Sequence, residues 1–313
     1  MVATPLVLLA VASSVSIAAC LAMMACFLLF EESRRCGRRI LFYLNATDLC
    51  GAILWLLTLL PSISDPDNPD DIPLVCFIQG YGLQFCLLSS YLWTSCFAFH
   101  LYQILVKTNK TPEMYEWRYI LLSWGIPLII VAMFAIQHLC GFVLIGFGGL
   151  PWCWIRSWSA NEWALDGYVL QMLFFYAPLM VALCFNVTVF VFVANKLGRT
   201  TVMSSGMEDK IRRRMMAYTA VFLATFAWGA LGRTFQVISP GHAISPAFLS
   251  LTAFFSPLQG ALNCLTYGLN KLLRERIRQA FDRWWRAGVS SGAPKATGEK
   301  RTLVPSPKRV RRA

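Results

Sequence analysis

Three ionisable side chains, Asp48, His100 and Arg233, stand inside long apolar stretches of the sequence. A charge placed in lipid is costly and by default marks function: an ion or proton site, a ligand's counter-charge or a conformational switch. Asp48 lies about 12 Å into its stretch at 1.5 Å per residue, a depth that suits a switch, an ion ligand or a hydrogen-bonded packing residue. His100, one turn from the end of its stretch, suits an interfacial hydrogen bond as well as a coupling role. Arg233 lies near the far end of its own stretch, where it can anchor an anionic ligand or pair with a loop carboxylate. Gln259, Asn263 and Tyr267 follow at intervals of four and share one helical face, which must turn away from lipid. Signals for covalent chemistry are poor. No Lys occurs from 211 to 270, which removes a retinal-type Schiff base from the last apolar stretch. H-E-x-x-H and phosphate-loop patterns are missing, and His138 and His242 lack metal-ligand spacing. The expectation is a protein that is not an enzyme and carries neither cofactor nor metal.

The elements that must position these groups are set by composition. Charged residues are 14% and apolar residues 57% of the 313, against about 25% and 45 to 50% in an ordinary soluble domain. A helix crosses the hydrocarbon core, about 30 Å thick, with about 20 mainly apolar residues. Seven such runs occupy 6–30, 40–61, 75–106, 119–141, 167–195, 215–238 and 247–269. The first has no basic leader and is too long for a signal peptide, so it reads as a span. Pro127, Pro178 and Pro257 fall inside spans and are expected to kink them. The fold class is therefore an all-α membrane protein, a seven-transmembrane helix bundle over 1–269. An amphipathic helix follows at 270–287, with Leu273, Ile277, Phe281 and Trp284 on one face, and then a disordered basic tail at 288–313. Ser290, Ser291, Thr297, Thr302 and Ser306 are candidate phosphorylation sites in that tail.

Charge sets the orientation. Alternate loops hold four, three, six and thirteen Lys and Arg, whereas the opposite loops hold only Arg156. The positive-inside rule puts the N-terminus outside and the C-terminus in the cytosol of a multi-pass plasma-membrane protein. The net charge of +12 then faces anionic inner-leaflet lipids and acidic partners and not nucleic acid, although PSPKRVRRA looks like a nuclear localisation patch. The outer loops carry a net −5, a mouth that repels an anionic nucleotide and suits a cationic or neutral ligand at least as well. Of eleven cysteines, Cys76 and Cys153 face the oxidising side and are the expected bridge, with Cys140 as the alternative partner. The N-x-S/T sites at Asn45, Asn109 and Asn186 lie in spans or on the cytosolic side.

CFIQGYGLQFCLLSSYLWTSCFAFHLY (76–102), PWCWI (151–155), FFYAPLMVALCFN (174–186), LGRTFQ (231–236) and FSPLQGALNCLTYGLN (255–270) resemble the cyclic-AMP-receptor-like (class E) G-protein-coupled receptors. They are similar, more weakly, to plant and animal orphan receptors of that superfamily. FHLY and LTYGLN stand where rhodopsin-like receptors have D-R-Y and N-P-x-x-Y. The resemblance implies a receptor that binds an extracellular small molecule, a cyclic nucleotide among the candidates, and activates a heterotrimeric G protein. It also implies the Cys76 to Cys153 bridge and places Gln84, Trp93, Trp152, Trp154, Arg233 and Gln259 at ligand-binding positions, with Asn263 in span seven. Asp48, His100, Asn263, Tyr267 and Asn270 are switch or coupling candidates. Lys210, Arg212, Arg213 and Arg214, read as the end of the third inner loop, face the G protein or anchor the loop to lipid. A transporter or channel for a small solute is the rival, and it should show internal repeats.

Overall fold

The computed structural model describes residues 3–29, 36–60, 73–142, 145–147, 150–156, 158–159, 162–163, 165–197, 205–238, 245–268 and 279. The expected amphipathic helix, Asn270 and the tail lie outside the described residues, Gln279 excepted. The unit Met1–Leu269 is a bundle of membrane-length helices. In chain order these are α1 (Ala3–Leu29), α2 (Cys36–Leu56), α3 (Leu74–Leu105), α4 (Glu116–Ile120), α5 (Ile126–Leu139), α6 (Leu165–Gln171), α7 (Ala177–Leu197), α8 (Ser205–Ile238), α9 (Pro246–Phe255) and α10 (Gln259–Asn263). Span four is α4 and α5 joined by a π-helical stretch, Leu121–Gly125, and span five is α6 and α7 joined by another, Met172–Tyr176. Among the described residues, five helices are long and apolar enough to cross a membrane, and the pair α9 and α10 makes a sixth. The run 215–238 lies in α8 and completes the seven.

Helix ends follow local chemistry. A 3-10 turn at Leu57–Leu59 closes span two just before Pro61, which cannot continue a helix. Pro73 and Pro246 open α3 and α9, where a missing N–H costs nothing. Gly141, with φ of 91°, lets the chain leave α5. One boundary differs from expectation. α8 begins at Ser205, so Lys210, Arg212, Arg213 and Arg214 belong to its first turns and not to a loop. Hydropathy marks only the lipid-immersed part of a helix, and basic residues with good helical propensity extend it into water.

α3 is the most buried span. It packs against α2, span four and α7, while α1 closes the ring between α2 and the two halves of span seven. Outward-facing side chains such as Leu29 (76% exposed) and Val181 (71%) meet lipid, so packing and interhelical hydrogen bonds decide association.

Each in-span proline sits at an irregularity. The π-helical stretches end just before Pro127 and Pro178, and the Phe174 carbonyl, which the Pro178 ring leaves without a backbone donor, accepts from Gln84 Nε2 (3.1 Å). At Pro257 the helix breaks, and α9 and α10 meet at 52°. Ser16 of α1 enters that break. Its hydroxyl donates to the Pro257 carbonyl (2.6 Å) and accepts from the Ala261 N–H (3.0 Å), standing between two groups that would otherwise bond each other. Gly260 permits the approach, because a Cβ there would lie 2.7 Å from Cys20 Sγ. Ser16→Ala is expected to cost about 0.6 to 2 kcal/mol, read as a lower melting temperature in detergent, since an interhelical bond in lipid is worth that much.

Candidate functional site

The bundle is roofed at the disulfide end by a β-hairpin that hydropathy gave no reason to expect. β1 (Ile145–Phe147) pairs antiparallel with β2 (Cys153–Ile155), Gly146 facing Trp154. A second pair, β3 (Trp158–Ser159) and β4 (Glu162–Trp163), follows. Cys153 is bonded to Cys76 at the start of α3, with Cα atoms 5.3 Å apart, and Cys140 is free and exposed.

Two glutamines of α3 fasten the hairpin further. Gln79 accepts from the Cys153 N–H (2.9 Å) and donates to Thr58 Oγ1 (2.7 Å) and the Leu54 carbonyl (2.9 Å). Gln84 accepts from Trp154 Nε1 (2.8 Å) and donates to the Phe174 carbonyl (3.1 Å), joining roof, α3 and span five. Gln171 donates to the Ile155 carbonyl (2.6 Å). Any Cβ at Gly80 would collide with Ile145, so glycine is what lets β1 lie on α3. Gln79 was not singled out from sequence. Its signal was a carboxamide one turn after a disulfide cysteine within an apolar run.

Beneath the roof is a cavity of about 50 Å³, walled by Trp55, Trp152, Trp154, Phe175, Tyr176, Phe226, Trp228 and Arg233, whose rings must part to admit a ligand larger than water. Trp152 stands edge-on to Trp55 (5.0 Å) and Trp154 edge-on to Phe175 (5.1 Å). Arg233 is 2% exposed; its Nη1 donates to Gln236 Oε1 (2.7 Å) and its guanidinium is hydrogen-bonded to Tyr176. Trp228 Nε1 has no acceptor among the described residues. The arrangement can clamp a flat ring between aromatic faces and present N–H donors to an acceptor or an anion.

Below the cavity lies a polar knot. Ser90 donates to Asp48 Oδ1 (2.5 Å), Asn263 to Asp48 Oδ2 (2.7 Å) and Gln259 to Ser90 Oγ (2.6 Å). It ties α2, α3 and α10 next to the break at Pro257. A narrow space of about 10 Å³ opens on it, and Trp55, Leu87 and Ser256 line both this space and the aromatic cavity.

The predicted ligand positions therefore separate. Trp152, Trp154 and Arg233 line the cavity, Gln84 braces Trp154, and Gln259 belongs to the knot. Trp93 is fully buried elsewhere, among Ile40, Leu44 and Tyr119, edge-on to Trp124 (5.4 Å). Of the coupling candidates, Asp48 and Asn263 meet directly. His100 packs near the basic end against Gly37 and Tyr119, its Nδ1 without a partner among the described residues. Arg213 is exposed, and the side chains of Lys210, Arg212, Arg214 and Tyr267 lie outside the described set. No group of three or more His, Cys, Asp or Glu able to hold a metal occurs among the described residues.

The family model for the seven transmembrane receptors of the secretin family matches residues 2–262. The chain belongs to that family. It is 29% identical over 289 residues to "G-protein coupled receptor 1" of Arabidopsis thaliana, covering 87% of this chain and 79% of that protein. It is 28% identical over 277 residues to "Cyclic AMP receptor-like protein A" of Dictyostelium discoideum, covering 87% and 66%. With "Cyclic AMP receptor 1" of the same organism the identity is 24% over 279 residues, covering 87% and 65%. The likeness to cyclic-AMP-receptor-like receptors read from short strings thus extends across the receptor's helical unit.

Proposed function

We propose that this receptor is a G-protein-coupled receptor of the plasma membrane, N-terminus outside, whose agonist occupies the aromatic cavity and whose basic face activates a heterotrimeric G protein. One observation carries the reading: a buried arginine lines an aromatic cavity that is roofed by a disulfide-held hairpin and shares walls with a polar knot at a broken helix. Ligand binding under the roof moves Trp55 and Ser256, which line both spaces, and so shifts the Asp48 knot and the bend at Pro257. Interhelical bonds of about 0.6 to 2 kcal/mol each are weak enough to exchange during such a change.

The donors Arg233 and Trp228 among edge-on aromatic rings favour a small anionic agonist with a planar ring. Cyclic nucleotides fit that description, and two relatives carry cyclic AMP in their names. The net −5 of the outer loops then slows entry of an anion without opposing it inside the cavity. Coupling to the G protein is assigned, from the sequence, to Lys210, Arg212, Arg213, Arg214, Tyr267 and Asn270, of which Arg213 is exposed; His100, 3% exposed, acts in switching and not as contact surface, and basic segments rest on anionic inner-leaflet lipids. No catalysis is assigned.

Vesicles holding the purified chain and a G protein test this against a transporter. The expected result is a compound that accelerates nucleotide exchange without crossing the membrane. Solute flux with no effect on exchange would refute it.

The roof gives a further expectation. Cys153→Ser should lower agonist affinity at least tenfold while surface expression falls about twofold or less, because loss of the bridge frees the hairpin more than the bundle. Ligand titration beside surface labelling reads both. A free Cys153 thiol in folded wild-type protein would remove the basis of this expectation.

A further inference from the structure

We infer that a lipid-facing groove between spans four and five is a binding site for an anionic phospholipid of the inner leaflet. Both spans pack on α3 but barely on each other. They meet near the disulfide end through Phe134 and Phe174 (5.3 Å) and diverge below that contact. The opening has a volume of about 800 Å³, is floored by Leu92, Cys96 and Phe99 of α3, and runs down to Tyr115 and Arg118. Its rims are exposed, Leu122 at 42% and Val181 at 71%, so it opens sideways to the membrane and not to water.

Length and charge choose the occupant. From Ile130 to Arg118 the fourth span descends about 18 Å at 1.5 Å per residue. One leaflet contributes about 15 Å of a hydrocarbon core about 30 Å thick, so an acyl chain fills the groove from end to end. The glycerophosphate then arrives at Arg118, which is exposed and lies over the rings of Tyr115 and Trp117, each 5.3 Å away. Trp117, 60% exposed, has the position of an interfacial anchor. The neighbouring carboxylate of Glu116 is engaged by Arg39 of α2 (Nε to Oε1 2.7 Å), which leaves the Arg118 guanidinium as the cation facing the headgroup. Both π-helical stretches border this groove, so its occupant touches the irregular turns before Pro127 and Pro178. The site is separate from the agonist cavity and does not depend on the agonist's identity.

The purified full chain in nanodiscs of equal phosphatidylserine and phosphatidylcholine provides the test, each lipid in turn carrying a photoreactive group in its acyl chain. Peptides from 115–130 and 173–185 should take up phosphatidylserine label at least threefold over phosphatidylcholine. Arg118→Gln should bring that ratio close to one, and Arg118→Lys should retain it. Ala177→Trp, which places a bulky ring in the groove from an exposed position, should lower both labels at least threefold. Equal labelling by the two lipids in the wild-type chain would overturn the inference, as would label spread evenly over all lipid-facing helices. So would displacement of the phosphatidylserine label by an equal amount of sterol.

Discussion

Replacing Arg233 by Gln is expected to abolish agonist-driven nucleotide exchange while leaving the receptor folded and at the surface. Arg233 is 2% exposed and lies on the cavity wall with Trp152, Trp154 and Tyr176. Its contacts to Gln236 and Tyr176 are ones a glutamine can partly replace, so the fold survives. What glutamine cannot replace is the positive charge. Removing one partner of a buried, hydrogen-bonded charge pair costs about 2 to 5 kcal/mol, roughly 30-fold or more in agonist potency. Arg233→Lys keeps the charge but loses the planar fork, so it should recover part of the potency. Surface labelling and concentration-response curves on the same cells separate the outcomes. If Arg233 serves only to brace the helices, the glutamine variant will melt earlier, reach the surface poorly and respond normally per receptor.

The second large effect is expected at Asp48. Asp48→Asn should give a receptor at least as stable as wild type whose response falls at least tenfold. The carboxylate accepts from Ser90 and Asn263, two uncharged donors, in a fully buried place. Replacing a buried charge by a neutral group of the same shape is often neutral or stabilising. An asparagine, however, puts an NH2 donor where one of the two carboxylate oxygens stood, so Ser90 and Asn263 can no longer donate to separate oxygens and one of them faces another donor. The knot must rewire, and with it the joint between α2, α3 and the broken span. Melting temperature and exchange rate measured on one preparation decide between roles. A lower melting point with unchanged exchange would reduce Asp48 to a packing residue.

Much of this architecture was legible in the sequence. Apolar runs separated by short polar loops, every other one basic, marked the spans, within a few residues at every end but the start of α8, because lipid demands about 20 apolar residues whatever the tertiary contacts. The Cys76 to Cys153 bridge and the tryptophans beside it were also visible, since oxidising-side cysteines are few. The three prolines pointed to irregular helices, and the structure adds how each is absorbed: π-helical stretches at two, a bend at the third.

What stayed hidden depends on contacts between distant segments. Ser16 is one of several serines in span one, and nothing in its surroundings shows that it enters span seven 241 positions away. Gln79 and Gln84 look alike in sequence, yet one holds a backbone N–H of the roof and the other an indole. Trp93 was grouped with the ligand positions by resemblance, whereas helix rotation turns it to Tyr43 and Trp124 (5.2 and 5.4 Å). The basic residues 210–214 read as loop because hydropathy cannot see a helix once it leaves the membrane.

The central claim, that occupancy of the aromatic cavity drives G-protein activation, is tested most directly by guanine-nucleotide exchange with the purified chain in nanodiscs. Wild type, Trp154→Ala and Arg233→Gln are compared in parallel against a panel of small anions that includes cyclic nucleotides. The account predicts at least one compound that accelerates exchange through the wild-type receptor, with the acceleration lost in both variants at matched folded protein. Acceleration of equal size and potency in all three proteins would contradict it.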